Sequence, residues 1–322
     1  MAYLYNWLRK RFGGRGLAVV PSGEASHSFE FVAAPPDLAP YLNSLYIWRT
    51  SDGQLDDVLP AYSGQMVVFA KGVGRMQFDD EVAETSDAFF LAPLCQARNF
   101  SVNGPAVLFG ASINFRGWAA LSGLSVHDYH DCFLQPGTVL EDGSAQTLSG
   151  LAHRWSAGEV DDAALLDAMC DIIRRGLSRL PEQHLTVIDK TLEWLSSSFK
   201  PELDDLYASL PYSKRQAQRL VAQFFGQSPV RLVRRYRAVR AATLLSMPQL
   251  PELIEVEIRE AFYDQAHLIK EIRFFTGRTP KRLMPGAGSS INEMLGPDGY
   301  SAVNLFGSGE SEQLGNDPLD DF

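Results

Sequence analysis

The feature that most restricts how this chain can fold is a change in the period of its apolar residues. From Phe29 to about Val139 the sequence carries short apolar runs: Tyr46-Ile47-Trp48, Met66-Val67-Val68-Phe69, Met76-Gln77-Phe78, Ala88-Phe89-Phe90-Leu91 and Val107-Leu108-Phe109. Gly, Asp, Asn or Pro separates them. Runs of this length between such residues are strands between turns, and they predict an antiparallel barrel or sandwich. From about Asp161 the spacing becomes helical, with Leu165, Leu166, Met169, Ile172, Ile173 and Leu177 on one face. That face suits a helix covering the sheet and a dimer seam equally well. The fold class expected is α+β.

At 322 residues the chain exceeds the usual size of one domain. Pro181 closes the helix just described and Glu182 to His184 form a link, after which the pattern stays helical until Pro285. The domains expected are an N-terminal arm over 1–28, a sheet-and-helix domain over 29–181 and a helical domain over 182–285. The stretch 286–322 is rich in Gly, Ser, Asn and Asp, the composition of a flexible tail. No run approaches the roughly 20 apolar residues of a membrane span, and the basic N-terminus, with Arg9, Lys10, Arg11 and Arg15, lacks the apolar block of a secretory signal. A cytoplasmic protein with no membrane partner is expected. Cys95, Cys132 and Cys170 form no Cys-x-x-Cys pair, so they are read as reduced, structural thiols.

The formal charge of −10 argues against a nucleic-acid partner until the charges are located. Between Glu182 and Leu283 there are 16 basic and 12 acidic residues, a local charge of +4 against −14 elsewhere. No acidic residue lies between Tyr212 and Pro251. Within this region a helix at Pro201 to Leu210, a turn at Pro211-Tyr212 and a second helix opening at Ser213 and stopping at Gly226 read as helix, turn, helix. Ala217, Leu220, Val221 and Phe224 make its buried stripe, which leaves Arg215, Arg219 and Ala222 opposite and Gln218 beside them. Ser228-Pro229 opens a long helix through Leu245 carrying Arg231, Arg234, Arg235, Arg237 and Arg240. A second pair follows, from Glu252 to Ala261 and from Asp264 to Thr276, stopped by Gly277. In it Leu268, Ile272 and Phe275 are buried and Ala266, Lys270 and Arg273 lie opposite, with His267 alongside. Two such helices on one rigid connector suit successive major grooves of duplex DNA.

The stretches Tyr212 to Leu220, Phe225-Gly-Gln-Ser-Pro229 and Arg237 to Leu245, then Phe262-Tyr-Asp-Gln-Ala-His-Leu268 and Phe274 to Pro280, resemble the two halves of the AraC-type DNA-binding domain. The resemblance implies a transcription regulator that reads bases with Arg215, Gln218 and Arg219 from the first unit, and with Gln265, Ala266, His267 and Lys270 from the second. Phosphates are expected at Ser213, Lys214, Arg231, Arg234, Arg235, Arg237 and Arg273. Two positions depart from the family pattern. Ala261 stands where a glycine is usual, and is expected to strain a turn of positive φ. Glu257 stands where an alanine is usual, and is costly if buried.

The resemblance further implies a small, cupin-like barrel in the N-terminal half that binds an effector, forms a homodimer, or does both. Trp48, Tyr62, Phe69, Phe78, Phe90 and Phe109 are candidates to line its interior, although plain core is the commoner use of such residues. RNA polymerase is a further partner if the regulator activates, and a regulator controlled by a protein partner with no small ligand is an alternative reading. A barrel enzyme is the competing class, but no His-x-His metal pair, nucleophile elbow or phosphate-binding glycine loop is present. The ligand-rich run His127-Asp-Tyr-His130-Asp-Cys132 is read as a polar helix-to-strand connection. Catalysis, metal and cofactors are not expected.

Overall fold

The computed structural model describes residues 27–245, 256, 258 and 260–283. The expected arm over 1–26, the segment with Pro248, Pro251 and Glu257, and the tail over 286–322 lie outside the described residues.

Eight strands make one antiparallel sheet. They are β1 (His27–Val32), β2 (Leu42–Thr50), β3 (Gln54–Leu59), β4 (Gly64–Phe78), β5 (Glu81–Glu84), β6 (Ala88–Leu91), β7 (Arg98–Ile113) and β8 (Phe133–Leu134). The order is β1-β2-β7-β4-β6-β8, with β3 added to β7 and β5 to β4. All five apolar runs of the sequence fall within strands. The long strands β4 and β7 pair from Gly64 with Ile113 to Met76 with Phe100, and their register shifts around Lys71, the kind of irregularity that lets a long ribbon bend. β1 pairs only with β2, and β8 only with β6. The two ends of the sheet do not meet, so the closed barrel expected from the sequence is replaced by an open, curved sheet.

Alternation along the strands divides the apolar residues between two faces. Leu45, Ile47, Met66, Val68, Phe90, Phe109 and Ala111 share a core with helices that follow the sheet. These are α1 (Phe115–Ser122), α2 (Val126–Tyr129), α3 (Pro136–Val139), α4 (Asp142–Ser156) and α5 (Asp162–Gly176). Asn114 caps α1 by accepting from the Gly117 N–H, and Asp161 caps α5 by accepting from the Ala164 N–H. Leu165, Leu166, Met169, Ile172 and Ile173 of α5 are buried in this core. Their face therefore covers the sheet, with Leu177, just past the helix, half-buried against the same core.

The opposite face, with Tyr46, Trp48, Val67, Phe69, Phe89 and Leu91, joins a second core whose other members come from the C-terminal helices. Those helices are α6 (Glu182–Ser197), α7 (Leu203–Ser209), α8 (Lys214–Phe225), α9 (Pro229–Leu245), α10 (Gln265–Thr276) and α11 (Pro280–Leu283). Ala238, Ala242, Ile272 and Phe275 belong to it. The backbone joins as well: the Ala61 N–H donates to the Phe275 carbonyl at 2.7 Å and the Ala97 N–H to that of Phe274 at 3.1 Å. Arg278, buried, donates to Asp57 at 2.6 Å and to the Val58 carbonyl at 2.8 Å. A third core joins Val187, Leu206, Ala217, Val221, Phe225 and Leu232 of the C-terminal helices to Phe115 and Ala119 of α1. The sequence boundary at residue 182 thus runs through continuous packing.

This division of faces corrects two of the expected pocket residues. Phe90 and Phe109, both with 0% exposure, point away from Trp48 and Tyr62 and fill the core beneath α4 and α5. Phe109 lies 5.7 Å from the Trp155 ring. Truncating either to alanine is expected to cost about 3–5 kcal/mol in urea-induced unfolding, because close-packed helices on this side cannot collapse into the void. A loss near 1 kcal/mol, as for a half-exposed ring, would contradict the assignment.

Candidate nucleic-acid interface

The segment expected to form the first helix-turn-helix folds as α7, a short turn and α8. Ser213 stands in extended conformation, and its hydroxyl accepts from the Gln216 N–H, which sets where α8 begins. Gly226, at φ +75°, ends it in the left-handed region that L side chains rarely adopt. Ala217, Val221 and Phe224 are buried and Leu220 is half-buried, so the stripe read from the sequence faces inward. Arg215, Gln218 and Arg219 are exposed together on the other side, and Ala222 is half-buried. Gln218 donates to the Tyr207 hydroxyl at 3.0 Å, which steadies its amide. Lys214 is engaged within its own unit, 2.7 Å from Asp204 and 5.4 Å over the Tyr207 ring.

The second unit repeats these devices on α10. Asp264 accepts from the His267 N–H to cap its start, and Gly277, at φ +72°, ends it. Gln265, Ala266, Lys270 and Arg273 are exposed. Ala261 is helical and buried, and its φ is not positive. The strained turn expected there does not form, because the chain completes another helical step before turning. Tyr263 at the mouth of α10 is 92% exposed. It stands in the turn expected before that helix, and the sequence assigns it no role.

Helix α9 joins the units, and its arginines separate into two groups. Arg231 is exposed and lies 5.7 Å over the Phe274 ring of α10. Arg235 and Arg237 are 2% and 7% exposed, a correction to the expectation that both meet phosphates: the face of α9 carrying them is packed against neighbouring elements. Arg237 donates to the Ala261 carbonyl at 2.9 Å and pairs with Glu271 at 2.5 Å. Glu271, 1% exposed, also takes Arg234 at 2.7 Å and His267 Nε2 at 3.2 Å. Two residues expected at DNA, Arg234 and His267, are therefore held by one buried carboxylate. His267 is only half exposed, and its Nδ1 is buried without a partner. Among the described residues, Arg215, Arg219, Lys270 and Arg273 are exposed cations outside any ion pair.

A cavity of about 100 Å³ lies on the sheet face toward the C-terminal helices, lined by Phe29, Tyr46, Trp48, Tyr62, Val67 and Phe69 among others. It brings together three of the six aromatic residues expected at a pocket, Trp48, Tyr62 and Phe69. Phe78 is not among the lining residues and instead meets the Phe133 ring edge-on at 5.2 Å. Sequence reasoning missed Val67, because alternation could not be phased until the strand pairing was known. Burial pushes the Tyr62 hydroxyl well above its ordinary pKa, reinforced by its neighbour Tyr46, so both phenols stay neutral. Trp48 Nε1 and Gln65 Oε1, both buried on lining residues, have no hydrogen-bond partner. A mostly apolar cavity with one free donor and one free acceptor suits a small apolar molecule bearing a polar group.

The run 127–132 connects α2 to β8, as expected. No helix among the described residues is long and apolar enough to cross a membrane.

No family model matches the chain, and no curated protein matches it significantly. Among solved structures, it is similar to ToxT from Vibrio cholerae O395, at 10% identity over 71% of this chain and 96% of that one, with a TM-score of 0.40. It is also similar to CuxR, described as an AraC-like transcriptional activator, at 13% identity over 70% of this chain and 85% of that one, with a TM-score of 0.32. A mannose 6-phosphate isomerase from Bacillus subtilis resembles only 30% of the chain, at 15% identity and a TM-score of 0.22.

The buried Glu271 is expected to behave as an anchor for its arginines. Glu271→Ala strands the Arg237 guanidinium away from water and should lower unfolding free energy by about 3–5 kcal/mol. Replacing Glu271 and Arg237 together by methionine should recover most of that loss in the same denaturation experiment. Equal stability of Glu271→Ala and the native protein would show that the cluster does not form in solution.

Proposed function

We propose that this protein is a sequence-specific DNA-binding transcription regulator of the AraC type, controlled by a small molecule held in the sheet cavity. The observation that carries the reading is the pairing of α8 and α10. Each is capped by a side-chain oxygen, stopped by a left-handed glycine, buried on one stripe and exposed on a polar or basic one. α9 separates them with 17 residues of helix, a connector stiff enough to set their spacing. Exposed arginine can donate to the two acceptors of guanine, and glutamine can donate to N7 and accept from the N6 amino group of adenine, while a small residue such as Ala266 lets the helix approach closely.

In this reading Arg215, Gln218 and Arg219 of α8 read one box, and Gln265, Ala266 and Lys270 of α10 read the next, with His267 tied back to Glu271. Ser213, Lys214, Arg231 and Arg273 meet phosphates, and Arg234 does so only at the cost of its bond to Glu271. Arg235 and Arg237 are withdrawn from that role. The lining residues Tyr46, Trp48, Val67 and Phe69 belong to the core that α9 and α10 complete, so a ligand that displaces them bears on the packing that orients the second reading helix. Control requires that the ligand bind two arrangements of these helices unequally.

Retaining genomic DNA fragments on the full chain at two salt concentrations, then sequencing them, tests the reading. Two boxes about one helical turn apart are expected. On that site Arg215→Ala or Arg219→Ala should cost about 1–3 kcal/mol. Arg231→Ala should weaken specific and random DNA alike and flatten the salt dependence by about one charge. Retention with no enriched sequence, or identical losses for both kinds of variant on both kinds of DNA, would contradict it.

A further inference from the structure

A second cluster of reactive groups lies where the loop after β6 meets the end of α8. The Cys95 sulfur, a His130 ring nitrogen and an Asp131 oxygen all lie within 4.8 Å of one another. His130 Nδ1 is 3.1 Å from Asp131 Oδ2, and the Cys95 sulfur lies beside the same imidazole. These are the relations of a thiol, an imidazole and an orienting carboxylate. Asp131, at φ +53°, is held rigidly, accepting from the Cys95 N–H at 2.9 Å and from Arg98 at 2.9 Å. The hydrogen bond to Asp131, followed by that to Cys95, pushes the His130 pKa up to about 10, so the ring is protonated at neutral pH.

Arg235 supplies a second, independent observation. Its side chain is buried, and all three guanidinium nitrogens lack a hydrogen-bond partner. Phe115 lies beneath it at 5.8 Å, and Cys95 and Asp131 are the titratable groups near enough to act on it. An unpaired buried cation is expensive to keep. Both Asp131 oxygens are already engaged, by the Cys95 N–H on one side and by Arg98 and His130 on the other. Placing a metal ion here would set a further positive charge beside two guanidiniums, so the group that fits the vacant donors is an anion formed at sulfur.

We propose that Cys95 is a modification site, oxidised by hydrogen peroxide to a sulfenic acid whose anion Arg235 holds. The Cys95 sulfur attacks one peroxide oxygen, and the S–O bond forms as the O–O bond breaks. Sulfur is oxidised by two electrons and the peroxide is reduced. The departing oxygen takes the His130 proton and leaves as water, the thiol proton returns to His130, and Cys–SH and HOOH become Cys–SOH and H2O; the sulfenic acid then gives its proton to solvent, and the sulfenate Cys–SO⁻ is the anion that Arg235 holds. Cys95 is 5% exposed, while the His130 side chain is 37% exposed, so the oxidant reaches the sulfur past the imidazole. A molecule the size of peroxide passes where bulky alkylating agents do not.

The position of the sulfur gives the modification its effect. Cys95 Sγ lies 3.9 Å from the Gly226 carbonyl, and the Cys95 carbonyl accepts from Gln227 at 2.8 Å. A methyl group at Gly226 would already come within 3.0 Å of that sulfur. An added oxygen meets the residue that ends α8, and the cap loosens.

The test reads sulfur and does not depend on whether the protein binds DNA. Full-length protein is exposed briefly to hydrogen peroxide, treated with catalase, and unfolded in dimedone, and each cysteine is quantified by mass spectrometry. Cys95 should be labelled at least about tenfold faster than Cys132 and Cys170, whose thiols burial pushes up to about 11. His130→Gln should slow Cys95 by at least about tenfold. Arg235→Met removes an unpaired buried charge, so it should melt no lower than the native protein and yet slow Cys95 oxidation. Hydrogen exchange at Gly226 and Gln227 should rise in the oxidised protein. Labelling of Cys95 no faster than Cys132, or an unchanged rate in a folded Arg235→Met variant, overturns the oxidation site. Rapid oxidation with unchanged exchange at Gly226 overturns its link to α8.

Discussion

In β4, Met66 and Val68 turn to one side, Val67 and Phe69 to the other, and all four are withdrawn from water. An antiparallel sheet can leave one face solvated, but this one has apolar residues on both and must be covered twice. The helices that follow it directly, α4 and α5, cover the first face. The second is covered by α9 and α10, and α10 also carries two of the exposed cations, Lys270 and Arg273. The placement of the candidate reading surface is therefore a by-product of covering a sheet: burying Ile272 and Phe275 forces Ala266, Lys270 and Arg273 outward.

Charged groups refine what the apolar cores allow. Arg237 with Glu271, and Arg278 with Asp57, are buried pairs, and such pairs add little net stability because desolvation offsets their attraction. Their effect is on geometry. A slide of α10 along α9 would separate Glu271 from Arg237, and a slide against the sheet would separate Arg278 from Asp57. The apolar contacts alone would tolerate either. The same helix α9 thus uses arginine for orientation on its inner side, while Arg231 remains outside.

The sequence was legible wherever local chemistry decides the outcome. Ser213, Gly226, Asp264 and Gly277 stand at the ends of α8 and α10 as read, because a cap needs only its own few residues. The exposed set Arg215, Gln218 and Arg219 follows from helical period alone. Properties set by tertiary partners were not legible. Arg235 and Arg237 look like Arg231 in sequence, and only the packing of α9 shows them buried. Phe90 and Phe109 were assigned to the cavity because the phase of a strand, though not its existence, depends on which neighbours it pairs with. Closure of the sheet is a property of β1 and β8 together, and neither strand announces it. The cluster at Cys95 was half visible, since His130 and Asp131 stood out, but the sulfur that meets them comes from a loop 35 residues earlier.

The two stop glycines share one further circumstance. Gly226 abuts Cys95 and Val126, and Gly277 abuts Val58 and Ala97, so each reading helix ends on the N-terminal half. The C-terminal helices have no finished surface of their own: cut at residue 182, they would bare Phe275 and Ile272, unpair Arg278 and leave both helix ends without a floor. Exchange of parts with another protein would have to carry the matching loops around Val58, Cys95 and Val126, and inheritance of changes in the two halves would be correspondingly linked.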